Sequence, residues 1–425
     1  MELRARRATR LTVLRAAAAP VLVALALTVG PAAPSPAVAA PELKTPASQT
    51  EPPPGYELSA EQAIRIAARA DEIRAERRDH DDFRPAAYAR GPGRWQVSWF
   101  DGDDEVAQAR VDDSLGVVLE AWTGHQVAWP MARGYEGAFG RTLNAPYVWL
   151  PLCILFLLPF VDPRRPLRLL HLDLLVLLAF GVSHFFFNRG EIGVSVPLVY
   201  PVLLYLLARL LWTGARPRLR DQRLIPHFPL AWVAVALVLL VAFRVGMNVV
   251  DSNVIDVGYA GVIGADRIAD GDGLYGRGFD DDIERGDTYG PLSYLLYVPF
   301  EQALPWSGEW DDLPAAHAAA IAFDLLTLLG LLLLGRRLRP GRGGRELGLA
   351  LAYAWASYPY AAFALQTNSN DTLVGLFTVG ALLALTAAPA RRGLSAAGRG
   401  AAIGLGTAAK IAPLALAPLL ATATA

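Results

Sequence analysis

The chain has 425 residues, of which 53% are hydrophobic, and its mean hydropathy is +0.31. These values argue against an ordinary soluble protein and predict membrane-spanning segments. The net charge of −1 provides no general basic field for nucleic acid, and the single cysteine, Cys153, excludes an intrachain disulfide framework. The six histidines include no pair at metal-ligand spacing, so we predict no metal site.

Residues 1–40 have the features of a secretory signal peptide. Five arginines within the first 15 residues precede an apolar run at 16–29, and "PAVAA" at 36–40 offers a cleavage site. The alternative interpretation is an uncleaved signal anchor. Either interpretation predicts that the segment following it is extracytoplasmic.

A Pro-rich linker is predicted at 41–55, followed by a small α+β domain at 56–130. Ser59 and Gln62 form a capping-box pattern that predicts the start of one helix over 59–79. Alternating apolar and polar residues then predict a three-stranded meander, with strands at 94–100, 105–111 and 116–122.

The pattern "RWQVSWF…ARVDDSLGVVLE" resembles a PepSY-type domain. This resemblance implies a binding or regulatory module and carries no catalytic residues. Trp95, Val97 and Trp99 fall on one face of the first strand. They are either a ligand platform or the core of a small sheet.

From residue 146 onward the sequence predicts a polytopic, mostly α-helical membrane protein. We expect about eight spans, three within 146–225 and five within 226–425. The Arg-rich loops between them should be cytoplasmic, which agrees with an exported N-terminal domain and predicts a plasma or inner membrane location. The predicted spans are 146–161, 172–188, 195–212, 228–250, 314–335, 347–366, 372–388 and 401–421.

The loop at 251–313 should be extracytoplasmic, and it is rich in acidic residues. Within it, residues 289–305 are apolar but few and interrupted by proline. A crossing here would place the later Arg-rich loops on the wrong side of the membrane. We therefore predict an interfacial or re-entrant segment.

Four segments of the C-terminal half together resemble the GT-C class of membrane glycosyltransferases, and within it glycosyltransferase family 87, a mannosyltransferase-like group. They are "DVGYAGVIGADRIADGDGLY", "TYGPLSYLLYVPF", "QTNSNDTLVGLF" and "AAKIAPLALAPLL". The resemblance implies transfer of a hexose from a polyprenyl-phosphate donor to an envelope glycan or glycolipid. The donor is a substrate, so no cofactor is implied. The five spans from 228 onward are fewer than such enzymes usually have, which implies a divergent short member or a truncated chain.

The resemblance also assigns roles to single residues. Asp256 matches the family's acid after a transmembrane helix and is implied to be the general base of an inverting transfer; Asp251 is the alternative. Tyr259 and Tyr275 match positions in the following helix. Tyr289 begins Tyr-Gly-Pro-Leu, which departs by one residue from the family's Tyr-Pro-Pro-Leu-like pattern. On the residues alone, both acids are equally well explained as solvated loop carboxylates.

Candidates for binding the donor phosphate are Arg244, Lys410 and, on the acidic loop, Arg267 or Arg285; Lys410 has the family's K-x-x-P context. Arg244 lies within a predicted span, where a charge is costly and usually faces a partner or cavity. The structural alternatives are pairing of Arg244 with Asp251 and of Lys410 with the mid-span Asp324.

A polar cluster follows the predicted span at 347–366, and its members are suited to bind sugar hydroxyls: Gln366, Asn368, Asn370 and Asp371. Asn370 or Asp371 is also expected to act as a plain N-cap for the next helix. The acidic run at 280–282 is predicted to be a solvated turn without metal.

Two functions of different class remain open from the sequence. One is the glycosyltransferase, and the other is a non-enzymatic membrane sensor that uses the PepSY-like domain. A cavity at Asp256 would favour the enzyme, whereas a freely solvated Asp256 would favour the sensor.

Overall fold

A computed structural model of the protein describes residues 43–128, 141–215, 226–276, 279, 286–308, 313–386 and 392–421. The predicted signal peptide at 1–40 lies outside the described residues.

The N-terminal domain contains a five-stranded antiparallel sheet whose strands pair in sequence order. The prediction of three strands was too low, because residues 84–90 also pair with the first predicted strand, from Arg84 opposite Phe100 to Ala89 opposite Trp95. Part of the predicted linker also belongs to the sheet. The strands are β1 (Leu43–Lys44), β2 (Arg84–Arg90), β3 (Arg94–Asp101), β4 (Asp104–Asp112) and β5 (Val117–Thr123).

Two helices, α1 (Ala60–Ala67) and α2 (Asp71–Glu76), replace the single helix predicted for 59–79. The chain is extended at Ala70 (φ −61°, ψ 141°), and the second helix then buries Ile73 in the core. The predicted capping box of Ser59 and Gln62 is confirmed. The helices share their core with the inner face of the sheet, where Trp95, Val97 and Trp99 are buried and form the core of the small sheet.

The remainder of the described chain is helical. Four of its helical segments are long and apolar enough to cross a membrane, namely Leu169–Phe187, Ile192–Thr213, Leu230–Val250 and Pro314–Leu338. They indicate a membrane protein. The first helices are α3 (His125–Ala128), α4 (Arg141–Asn144), α5 (Pro146–Leu157), α6 (Leu169–Leu178), α7 (Phe180–Phe187), α8 (Ile192–Ala215), α9 (Leu230–Val250) and α10 (Asp256–Asp270).

The later helices are shorter on average than the sequence suggests. They are α11 (Pro291–Leu295), α12 (Val298–Glu301), α13 (Pro314–Leu338), α14 (Gly341–Ser357), α15 (Pro359–Gln366), α16 (Asp371–Leu385), α17 (Arg392–Ala409) and α18 (Ala417–Ala421). Short 3₁₀ turns cover Gly286–Thr288 and Ala412–Leu416.

The count of eight full-length spans is only partly supported, because two predicted spans are broken. The span at 347–366 divides at Tyr358, which takes an extended conformation (φ −72°, ψ 119°) before Pro359. Proline disfavours a helical conformation in the residue that precedes it. The span at 401–421 divides after Ala409, ahead of Pro413. The apolar helices α5 and α16 are also shorter than a bilayer requires.

The apolar segment at 289–305 forms the two short helices α11 and α12 and no spanning helix. Tyr294 and Tyr297 are fully buried there and pack in one core with α10 and the start of α13. The helix predicted to follow Asp256 is present and ends at Gly271, whose φ of +83° favours glycine. This arrangement brings α10 beside the polar segment that joins α15 to α16.

Candidate functional site

The N-terminus of α10 docks directly on the backbone between α15 and α16. The Ile255 N–H donates to the Thr367 carbonyl at 3.1 Å. A Cβ atom at Gly258 would lie 2.1 Å from the Asn368 carbonyl oxygen, so this close approach requires glycine. Asp256, the first residue of α10, is therefore fixed next to the polar segment that leads into α16.

Asn368 holds this junction together. It is fully buried, and its backbone has a φ of +48°, a conformation that asparagine tolerates better than most residues. Its side-chain Nδ2 donates to Ser252 Oγ at 2.9 Å and to the Asn253 carbonyl at 2.7 Å, while its Oδ1 accepts from Asn248 Nδ2 at 2.7 Å. Asn368 thus joins chain segments, and its burial argues against the predicted contact with sugar.

Asp371 and Lys410 form an ion pair between the start of α16 and the end of α17. Their side chains are 38% and 34% exposed, so a ligand can reach both. Asp371 also accepts a hydrogen bond from Ser369 Oγ at 3.0 Å. The alternative pairing of Lys410 with Asp324 is wrong.

The N-cap of α16 is one of the two residues expected. Asn370 occupies the N-cap position without a side-chain capping hydrogen bond. Its Nδ2 donates instead to Ser293 Oγ at 3.0 Å. The neighbouring Gln366 is buried, and its Oε1 has no hydrogen-bond partner.

Tyr289 is influenced by both site carboxylates. Its half-buried position raises the pKa of its hydroxyl to about 12, and the negative charges of Asp256 and then Asp371 contribute to the rise. The hydroxyl therefore stays protonated at neutral pH and can donate a hydrogen bond to an anion. Tyr275, which is exposed, donates from its own hydroxyl to the Tyr289 carbonyl at 3.0 Å.

A largely apolar cavity of about 370 Å³ adjoins this group of residues. Its wall comes mainly from α7, α8 and α15, including His184, Tyr360 and Phe363. Ile255 and Asp371 also line it. The cavity wall therefore includes the residue that precedes Asp256 and the carboxylate that pairs with Lys410.

The two candidate bases differ in position. Asp256 is exposed and does not itself line the cavity, although its neighbour Ile255 does. Asp251 caps the C-terminus of α9, and one of its carboxylate oxygens is buried without a hydrogen-bond partner. Exposure makes Asp256 the more accessible acid for a substrate hydroxyl, but its position outside the cavity lining does not meet the criterion set above for the enzyme.

Three other residues predicted to bind substrate contact side chains within the protein. Arg244 is buried and pairs with Asp324 at 2.7 Å, so the alternative pairing with Asp251 is wrong. Tyr259 is buried in the core with its ring packed edge-on against Trp306. The Arg267 guanidinium lies 4.6 Å from the centre of the Phe279 ring.

Within the described residues there is no group of three or more histidine, cysteine or acidic side chains suited to a metal ion. The acidic run at 280–282 and Arg285 lie outside the described residues.

The ion pair of Asp371 was not predicted from the sequence. It was expected to bind sugar or cap a helix, whereas it forms the ion pair with Lys410. Tyr297 was not singled out, yet its hydroxyl is fully buried without a hydrogen-bond partner. Burial raises the pKa of Tyr297, and the charge of Asp371 adds to the rise. No local pattern in the sequence signals either relationship, because both depend on residues distant along the chain.

Residues 288–424 match the sequence model of glycosyltransferase family 87. No curated protein and no solved structure matches the chain. The matched region contains Tyr289, Asp371 and Lys410, while Asp256 lies upstream of it. The C-terminal part of the chain is therefore similar to glycosyltransferase family 87, and members of a glycosyltransferase family use a sugar donor and an acceptor.

Proposed function

We propose that the protein transfers a hexose, mannose-like, from a polyprenyl-phosphate donor to an envelope glycan or glycolipid on the extracytoplasmic face. The observation that carries the proposal is the grouping of a reachable lysine, a protonated tyrosine and an exposed carboxylate beside an apolar cavity. Such a site suits a ligand with a charged head and an apolar chain.

The chemistry requires a base more than an acid. The acceptor hydroxyl attacks the anomeric carbon of the sugar, and the bond from that carbon to the phosphate oxygen breaks. The electron pair of this bond stays on the phosphate, which is a good leaving group. The carboxylate of Asp256 takes the proton of the attacking hydroxyl. Attack on the face opposite the phosphate inverts the configuration of the anomeric carbon.

The remaining residues bind the donor in this proposal. The Lys410 ammonium neutralises the phosphate, and the Tyr289 hydroxyl donates to one of its oxygens. The isoprenoid units nearest the phosphate occupy the cavity lined by Tyr360 and Phe363. Arg244 is left out of this proposal because its guanidinium is already paired with Asp324.

The test is transfer of a labelled hexose from polyprenyl-phosphate donors to membrane lipids by the full chain. Asp256→Asn should lower kcat by about 100-fold to 10,000-fold, the usual contribution of a general base, with little change in the KM of the donor. Asp272→Asn is the matched control, because it removes an exposed acid just beyond the same helix. Retained activity in Asp256→Asn would exclude Asp256 as the base, and loss in Asp251→Asn alone would transfer the role to Asp251.

The alternative, a membrane sensor that binds a ligand through the PepSY-like domain, predicts a different result. No hexose transfer would occur with any polyprenyl-phosphate donor, and none of the substitutions would alter ligand binding to residues 43–128.

A further inference from the structure

A carboxylate of the chain itself neutralises Lys410. The chain contains only two lysines, Lys44 and Lys410, and the second of them is paired with Asp371. A phosphate that binds Lys410 must therefore compete with the Asp371 carboxylate. Because both side chains are about one third exposed, the pair can exchange partners without burying an isolated charge.

Asp371 retains favourable contacts when Lys410 leaves it. Its Oδ2 accepts from Ser369 Oγ at 3.0 Å, and its backbone N–H donates to Ser369 Oγ at 3.3 Å. As the first residue of α16, it also lies at a helix N-terminus, where negative charge is stabilised. The carboxylate can thus remain in place beside a departing or arriving ammonium group.

The proposed reaction changes the charge on the phosphate. The donor is a phosphodiester with a single negative charge, whereas the polyprenyl phosphate product is a monoester of about −1.5 to −2 at neutral pH. An isolated lysine would therefore bind the product more tightly than the donor, and the product would inhibit the enzyme. A carboxylate beside the lysine repels the monoester more strongly than the diester.

We propose that Asp371 is a positioning residue that acts as an exchangeable counter-ion of Lys410. The donor phosphate replaces the Asp371 carboxylate as the partner of the Lys410 ammonium, and after transfer the ammonium returns to the Asp371 carboxylate, which favours release of the polyprenyl phosphate. This inference rests on the proposed function, because it requires that Lys410 bind a polyprenyl phosphate.

The test is equilibrium binding of two probes to the full chain in lipid nanodiscs, so that catalysis is not needed. One probe is a polyprenyl phosphate monoester, and the other is the methyl diester of the same lipid, which carries a single negative charge and no sugar. In Asp371→Asn, the Kd of the monoester should fall about two- to fivefold relative to that of the diester, the range set by a partly exposed ion pair. Asp371→Ser should behave in the same way, which guards against a folding defect of one variant.

Three further variants make the result specific. Asp371→Glu retains the negative charge and should restore the wild-type ratio of the two Kd values. Asp272→Asn removes an exposed acid elsewhere on the same predicted loop and should leave the ratio unchanged. Lys410→Gln should weaken binding of both probes.

The outcomes separate the inference from the proposed function. If Lys410→Gln weakens binding while Asp371→Asn and Asp371→Ser leave the ratio unchanged, the counter-ion role is wrong and the proposed donor site stands. If the Asp371 variants raise the Kd of both probes equally, Asp371 only holds Lys410 in position, and the inference is also overturned. Failure of the wild-type chain to bind either probe would overturn both proposals.

Discussion

Removal of Asp324 should strongly destabilise the membrane region. Its carboxylate lies 2.7 Å from the Arg244 guanidinium, and the two side chains are 3% and 1% exposed. The same Oδ1 accepts from the Trp355 indole at 2.8 Å. The guanidinium also donates to the carbonyls of Ala356 and Ala361, at 3.3 and 3.2 Å, on either side of the break between α14 and α15.

The expected cost follows from what each substitution leaves behind. Asp324→Ala leaves a buried guanidinium without its counter-ion, which typically costs about 3–5 kcal/mol. Replacing both charges, with Arg244→Met added to Asp324→Ala, removes the uncompensated charge and leaves the Trp355 N–H and the carbonyls without these partners. The double variant should therefore be more stable than Asp324→Ala, with a coupling free energy on the order of 2 kcal/mol.

The assay is equilibrium unfolding of the full chain in mixed micelles, with free energies of unfolding compared across the cycle. Asp173→Ala is the matched control, because its partner Arg209 lies at 2.7 Å but both side chains are about one quarter exposed. We expect this control to cost less than about 1 kcal/mol. A loss below about 1 kcal/mol for Asp324→Ala, or a double variant less stable than Asp324→Ala, would refute the reasoning.

Two other predictions concern the docking of α10 and the N-terminal domain. Gly258→Ala should lower the free energy of unfolding by about 1–3 kcal/mol, because its Cβ would lie 2.1 Å from the Asn368 carbonyl oxygen. The same substitution should also reduce hexose transfer. In the same micelle assay Gly273→Ala should be neutral, because its Cβ would meet no atom within 4 Å. The hydrogen bond of His80 to Asp101 raises the pKa of the imidazole, so its contribution to domain stability should be complete below its unfolded pKa of about 6.5 and be lost as pH rises through the folded value. His80→Asn should remove this pH dependence in pulse proteolysis, and an unchanged pH profile would contradict it.

Local features of the fold were predictable where the signal lies within a few residues. The capping box of Ser59 and Gln62 is present, and the helix that starts at Asp256 ends at Gly271. Local signals also failed where proline intervened. The helix predicted for 347–366 breaks before Pro359, because proline restricts the conformation of the residue that precedes it. Hydropathy averaged over a window does not register this restriction, so the break was not predicted.

The residues of the candidate site were easier to predict from the sequence than their ion-pair and hydrogen-bond partners. Lys410 was a candidate phosphate ligand by its resemblance to the family, and the alternative was pairing with Asp324, which instead pairs with Arg244. Asn368 was a candidate for sugar binding, yet it is buried and hydrogen-bonded to the stretch that contains Asn248 and Asn253. A side chain's chemical type is visible in sequence, whereas its burial depends on which helix packs against it.

The sequence by itself determined that the chain contains long apolar helices, an alternating sheet with a tryptophan core, and an acidic segment after α9 that begins a new helix. These properties follow from residue type and short-range periodicity. Only the tertiary structure decided which carboxylate neutralises which cation. Charge partners are chosen by distance in space, and helix packing brings together Arg244 with Asp324 and Asp371 with Lys410 across long stretches of chain.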